Sequence, residues 1–260
     1  DVCGGVDAYD PTSLPAPASW EQALGTQDLK GKKVAIVPNL GGVKLEAGVE
    51  DLIREQAALL VADAGLDVVD IKVEPPNLAA QWMLGNMSTL VAELGDRWPG
   101  CAKDLTDEVA FGIFLAYAMY NIQTAADAER MRVDAQVAMA EAFEQVDFII
   151  AATNPGPAFA AHATTSNPEE DLLDFVKSSQ LAKWGARAAL FGVRMGTGVY
   201  PKLPSKILNE AARRFPDMVS MGALTIISNI YGNPAVSIPA GTVDGLPIGM
   251  QVLGKHHQDA

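Results

Sequence analysis

Few residues in this chain are of a type and spacing that could do hydrolytic chemistry. Ser178-Ser179 lies beside Lys177 and Lys183 in a helical stretch, and Ser205-Lys206 follows Pro204. A serine nucleophile needs a base within hydrogen-bond reach and backbone N–H groups facing the developing oxyanion. Neither pair has a glycine-rich cradle, and neither G-x-S-x-G nor S-x-x-K occurs in the chain. The histidines are His162, His256 and His257, without an H-E-x-x-H pattern. Adjacent rings diverge on a helix or a strand, so His256 and His257 are expected on the solvated surface rather than at a metal. Cys3 and Cys101 are far apart in no metal spacing, which reads as two free thiols in a reducing compartment. Asn39-Leu40-Gly41-Gly42-Val43 does not supply the G-x-G-x-x-G that a dinucleotide site needs. The expectation is no catalytic residue, no metal ligand and no cofactor on this chain.

The most patterned stretch is Ser220 to Gly254, SMGALTIISNIYGNPAVSIPAGTVDGLPIGMQVLG. Leu224, Ile227 and Tyr231 fall at helical spacing, predicting a short buried helix. Gly232-Asn233-Pro234 stops it, since proline lacks a donor and glycine and asparagine accept left-handed geometry. Ala235 to Ile238 is expected as a short strand ended by Pro239. Asp244-Gly245 between two apolar runs signals a tight hairpin turn. Ile248 to Leu253 follows as a second strand, with Ile248, Met250 and Val252 on one face.

This unit resembles the C-terminal signature of the amidase signature family, N-x-x-G-x-P-A-x-S-x-P-x-G, a turn, then G-L-P-x-G-x-Q-x-x-G. The matching residues are Asn229, Gly232, Pro234, Ala235, Ser237, Pro239 and Gly241, then Gly245, Leu246, Pro247, Gly249, Gln251 and Gly254. Asp10-Pro11-Thr12-Ser13 is similar to a segment that follows the catalytic half in that family. The strand Asp147 to Ala152, running into Thr153-Asn154-Pro155-Gly156-Pro157, resembles the family's strand and T-P-T-x-P segment, with Ala151-Ala152 where Thr-Pro is common.

The resemblance implies a serine hydrolase in which a lysine acts through a cis-peptide serine on a nucleophilic serine in a G-G-S-S-G-G-type segment. None of that segment is in this sequence. The chain is therefore expected to be the C-terminal half of a single amidase domain, with both ends looking cut, and its partner to be the N-terminal catalytic half, covalently joined or a separate chain. The other partners expected are a small amide substrate and, as an option, a second copy of the whole enzyme.

The elements that must position such a site read in order. Ser19 caps a turn at Trp20 to Leu24. Lys33 to Val37 is a buried strand, Val49, Leu52, Ile53, Leu60 and Ala64 trace an amphipathic helix closed by Gly65, and Asp67 to Val73 is a second strand. This makes a βαβ unit over 33–73 with parallel pairing. Residues 76–145 form a helical middle, with helices at Gln81–Leu94, Glu108–Tyr120 and Ala125–Gln145. Its aromatic and sulfur side chains, Trp82, Met83, Met87, Trp98, Phe111, Phe114, Tyr117 and Tyr120, read mainly as core. The central strand and cleft occupy 146–157 and the signature helix and strands 220–254. His162 falls in a loop, and the apolar 184–204 segment reads as a flap or cap. The fold class is α/β, a large mixed β-sheet flanked by helices on both faces.

Hydrophobic residues make up 49% of the 260, which suits a surface buried against a partner or against the rest of the protein. No apolar run approaches the roughly 20 residues of a membrane-spanning helix. A net charge of −13 argues against nucleic acid and anionic membranes and fits a cytoplasmic protein.

Three functions compete. The first is hydrolysis of a non-peptide carboxylic amide, this half supplying substrate selection through Thr153, Asn154, Pro155, Ile227, Asn229 and Ile230, each of which also has a plain packing or helix-ending role. The second is the glutaminase A subunit of a tRNA-dependent amidotransferase. The resemblance would then place an acidic residue near the start of the signature helix, where this chain has Gly222 within an uncharged run. The third is a non-catalytic half acting as a binding module.

Overall fold

The computed structural model describes residues 5–10, 13, 15, 19–76, 79–158, 222–256 and 258, together with 185, 188–189, 191–192, 194–196, 199–204 and 206–207. His162, Ser178-Ser179, Ser205, His257 and Cys3, and most of the Asp10–Pro17 stretch, lie outside the described residues.

The short helix α1, Trp20–Ala23, starts at Ser19, whose Oγ accepts from the Gln22 N–H at 3.2 Å. Strand β1 is Lys33–Ile36 and helix α2 is Val49–Ala64. Gly65 ends α2 in the left-handed region at φ 66, donating to the Val61 carbonyl. Strand β2, Asp67–Val68, pairs in parallel with β1. The predicted strand to Val73 is shortened: Val69, Ile71 and Val73 do face inward, but the ladder stops. The turn after β1 explains this. At Gly41 (φ +81) the backbone runs so close to the Val73 carbonyl that a Cβ would sit 1.8 Å from its oxygen. The chain there is a turn rather than a strand that could extend the pairing.

Helices α3 (Ala79–Leu94), α4 (Asp107–Met119) and α5 (Ile122–Gln145) fill the middle as expected. A capping box opens α5: Asn121 Oδ1 accepts from the Gln123 and Thr124 N–H groups, and Thr124 Oγ1 accepts from the Asn121 N–H. The expectation that the aromatic residues here are mainly core is corrected for three of them. Trp82, Tyr117 and Tyr120 are each about 40% exposed (39%, 42% and 44%). On α4 the buried side chains among the described residues include Ile113, Ala116, Ala118 and Met119.

Strand β3, Phe148–Ala152, is the centre of a five-stranded sheet ordered β2-β1-β3-β5-β4. It is parallel to β1 and antiparallel to β5, Leu246–Gly254, so the sheet is mixed at this strand rather than wholly parallel. Helix α6 is Ala223–Tyr231, ended by Gly232 at φ 78. Strand β4, Ala235–Val243, runs past Pro239, where the sequence predicts a stop. A register shift between Pro239 and Gly241 absorbs the missing donor, and β4 lies at the sheet edge, where proline is tolerated. Asp244 (φ 51) and Gly245 (φ 79) make the two-residue turn with both residues left-handed, which matches the twist of a hairpin.

Helices cover both faces of the sheet. Gln251 points at α6, since its amide donates to the Leu224 carbonyl. Gly241 pairs with Ile248, an odd number of residues from Gln251 and so on the other face. There the Gly241 Cβ position meets Leu52 of α2 at 3.2 Å. The core between these layers includes Val34, Ile53, Met139, Ile149, Ile150, Leu224 and Leu253.

The start of the sheet is tied by Asp147. Its Oδ2 accepts from the Lys33 N–H at 2.9 Å and its Oδ1 from Lys255 Nζ at 2.9 Å, joining β1, β3 and the end of β5. The backbone N–H of Lys33, then Lys255, hold this carboxyl below the ordinary aspartate range. Unfolded Asp147 therefore binds a proton at a pH where the folded group does not. Its stabilisation is complete above the ordinary aspartate pKa, about 4, and is lost as pH falls through the lower folded value. Asp147→Asn is expected to lower the melting temperature at pH 7 and to flatten the acid limb of stability measured by thermal unfolding between neutral pH and pH 2. Parallel acid limbs for the two proteins would show that the carboxylate does not contribute.

Candidate functional site

Four pieces of chain meet at one end of the sheet: the turn after β1, the Thr153–Pro157 segment after β3, the start of β5, and the first turn of α6. Carboxyl ends of parallel strands are where open α/β sheets leave a crevice, and β1 and β3 both end here. The segment after β3 is held at both ends. The Thr153 N–H donates to the Gly249 carbonyl at 2.9 Å, and the Pro155 carbonyl accepts from the Glu46 N–H at 2.8 Å. The Glu46 carboxylate lies against Gly156, where a Cβ would be 2.1 Å from Oε1, so a side chain there would displace that carboxylate.

Gln251 is the central polar residue. It is 3% exposed, and its Nε2 donates to the Ala152 carbonyl at 2.9 Å and to the Leu224 carbonyl at 2.8 Å. One amide group thus fixes the last residue of β3 to the first turn of α6. A buried carbonyl left without a donor costs about 1–3 kcal/mol, and Ala152, at the end of β3, depends on this amide, while the bond to Leu224 is added to the donor that carbonyl already has inside the helix.

Beside it, Thr153 Oγ1 and Ser237 Oγ are 2.7 Å apart, and either can donate. Ser237 pairs with Gln251 across the β4–β5 ladder, and so lies on the same face. Gly249 makes room for both hydroxyls: a Cβ there would be 2.8 Å from each oxygen.

The residues singled out from the sequence separate in this geometry. Thr153, Asn154 and Pro155 are contiguous at the strand end, with Asn154 exposed and the other two partly so. Ile227 is 3% exposed, packed in the core. Ile230 is partly buried against the same core. Asn229 is exposed, its Nδ2 turned back to the Thr225 carbonyl at 3.4 Å. These three lie roughly 5–9 Å along the helix axis from Leu224, so Gln251 brings the start of α6, rather than these residues, to Ala152. In the sequence, Gln251, Ser237 and Gly249 stand out only as pattern matches. Signals for their roles are present there: a lone amide between Met250 and Val252, and a glycine inside a strand, which marks close approach. His256 is exposed, its ring centroid 5.7 Å from that of Tyr231. Among the described residues, no group of three or more His, Cys, Asp or Glu side chains is arranged to hold a metal ion.

Gln251→Leu keeps the volume and removes both donors. It is expected to cost about 2–4 kcal/mol of unfolding free energy, read from urea denaturation with an unchanged slope. A loss below about 0.5 kcal/mol would mean that water replaces the amide at both carbonyls.

With this geometry in view, comparison with known proteins is specific. The Amidase family model matches residues 1–193. The A subunit of a glutamyl-tRNA(Gln) amidotransferase from Geobacillus kaustophilus is 26% identical over 283 residues, covering 98% of this chain and 48% of that protein. Its counterpart from Geobacillus thermodenitrificans is 27% identical, with 100% of this chain and 48% of that protein covered. A bacterial aryl acylamidase of the amidase signature family has the same fold, with a TM-score of 0.64 at 20% identity over 98% of this chain and 46% of that one. The chain spans about half the length of the curated relatives it matches. It belongs to the amidase family, as the match across three quarters of its length and the shared mixed sheet establish.

Proposed function

We propose that the protein carrying this chain hydrolyses a non-peptide carboxylic amide, and that this chain is the C-terminal part of its single amidase domain. It supplies the substrate-pocket side, while the lysine, the two serines and the oxyanion cradle reside on the N-terminal part, whether joined to it or separate. The observation that carries this reading is the match to the amidase family, supported by the Thr153–Pro155 segment held between Gly249 and Glu46 at the end of β3, next to the Ala152 carbonyl that Gln251 binds. Thr153, Asn154, Pro155 and the exposed Asn229 are the side chains proposed to border the substrate; Ile227 and Ile230 support them from the core. A site that holds its walls in place before substrate arrives places the reacting group without further ordering cost.

The curated relatives named above support a second reading, the glutaminase component of a tRNA-dependent amidotransferase. Glutamine carries an ammonium and a carboxylate, so its pocket needs paired charges. Helix α6 has no acidic residue in its first turn, and its N-cap is Gly222. This favours a neutral acyl group over glutamine. No helix among the described residues is long and apolar enough to cross a membrane, and a cytoplasmic location is part of the proposal.

The test is ammonia release by the complete protein from neutral aromatic and aliphatic amides and from glutamine. Turnover of a neutral amide at least tenfold faster than of glutamine is expected. Preference for glutamine would move the assignment to the amidotransferase reading, and folded protein without turnover of either would favour the non-catalytic binding module.

A further inference from the structure

The Thr153–Ser237 pair has a property that packing does not use. Two hydroxyls joined by one hydrogen bond consume one proton between them and keep one O–H to donate. Their oxygens are 2.7 Å apart, Ser237 is exposed and Thr153 half-buried, and the pair sits at the strand end where the Thr153–Pro157 segment begins. Its placement is costly to the sheet, since Gly249 must forgo a side chain within the strand for the two oxygens to meet. The surroundings also select the kind of ligand group. Pro239, Gly249 and Pro155 adjoin the pair in the ladder or the chain and bring no charge. The Glu46 carboxylate lies against Gly156, three residues on from Thr153, and disfavours an anionic ligand there.

We propose that Thr153 and Ser237 form a paired-hydroxyl contact in the substrate cleft, whose spare O–H donates to a neutral oxygen in the acyl part of the amide. This rests on the amide-hydrolase reading above. It narrows the substrate class to amides whose acyl chain carries an ether, carbonyl or hydroxyl oxygen.

The experiment compares methoxyacetamide with butanamide, which differ by an oxygen in place of a methylene, on the complete protein and on Thr153→Val, Thr153→Ser and Ser237→Ala. The expected result is a kcat/KM preference for methoxyacetamide that falls about threefold to tenfold in Thr153→Val and Ser237→Ala, mostly through KM. Thr153→Ser should retain it. Equal losses on both amides with a lowered melting temperature would make the pair a packing contact and overturn the inference, as would an unchanged preference in all three variants. If the wild-type protein turns over neither amide, the hydrolase reading fails on that result. Calorimetric titration with the two amides then decides the hydroxyl pair separately: tighter binding of methoxyacetamide, lost in Thr153→Val, upholds the contact, and equal affinities overturn it.

Discussion

The architecture depends on one buried amide. Gln251 reaches from the middle of β5 to two carbonyls that belong to different elements, Ala152 at the end of the central strand and Leu224 in the first turn of α6. Ala152 lies where the ladder of β3 gives out, and Leu224 lies in the opening turn of α6, its carbonyl using a second lone pair for the amide. A side chain with two N–H groups in fixed, planar geometry binds them together. The position of the helix on the sheet is thereby set by direction-sensitive bonds, whereas Leu224, Ile226 and Ile227 supply non-directional burial beneath it. Apolar packing alone would tolerate sliding of α6 along its own axis. The amide does not.

Around this point the strand end is assembled from close backbone approaches rather than from large side chains. Gly249 makes way for two hydroxyls, Gly156 for the Glu46 carboxylate, and Gly41 for the Val73 carbonyl. At each of these places two segments separated in sequence come within contact distance. The result is a rim of backbone and small polar groups on a core of aliphatic residues, a division suited to a cleft in which orientation is set by a few hydrogen bonds. Away from this strand end, Trp82, Tyr117, Tyr120 and Ile122 stand exposed in the helical middle. That exposure accords with the chain spanning about half the length of its curated relatives.

Much of this is readable from residues alone, and the failures have physical causes. The periodicity of Val49 to Ala64 with Gly65 behind it, and the Asp244-Gly245 turn, predict their elements because the signals are local. The alternation over Asp67 to Val73 overextends its strand because it reports which way side chains face and says nothing of whether a neighbouring strand is there to pair. Pro239 reads as a stop because its missing donor matters in a central strand, and sequence does not show that β4 lies at an edge with a bulge. At the site, Thr153 to Pro155 do fall at the end of β3, yet Ile227 is core. The helical spacing of Leu224, Ile227 and Tyr231, opposite Thr225, Ser228 and Asn229, already puts Ile227 on the buried face, and its place near the matched Asn229 does not make it a contact. For Gln251 the lone amide between Met250 and Val252 signals a buried polar role, but not its partners. Its partners are main-chain oxygens, which every residue has, so no pattern of side chains points to them.

The order of strands has a consequence in time. β3 is completed at Ala152, but the neighbour that covers its second edge, β5, comes much later in the sequence, with Gln251 lying 99 residues after the carbonyl it binds. A ribosome adding roughly 5–20 residues per second needs about 5–20 s to make that interval. Throughout it, the strand Phe148-Ile149-Ile150-Ala151-Ala152 has its β1 side and α2 already made but waits with the edge that β5 covers open. The sheet closes only once β5 has left the exit tunnel.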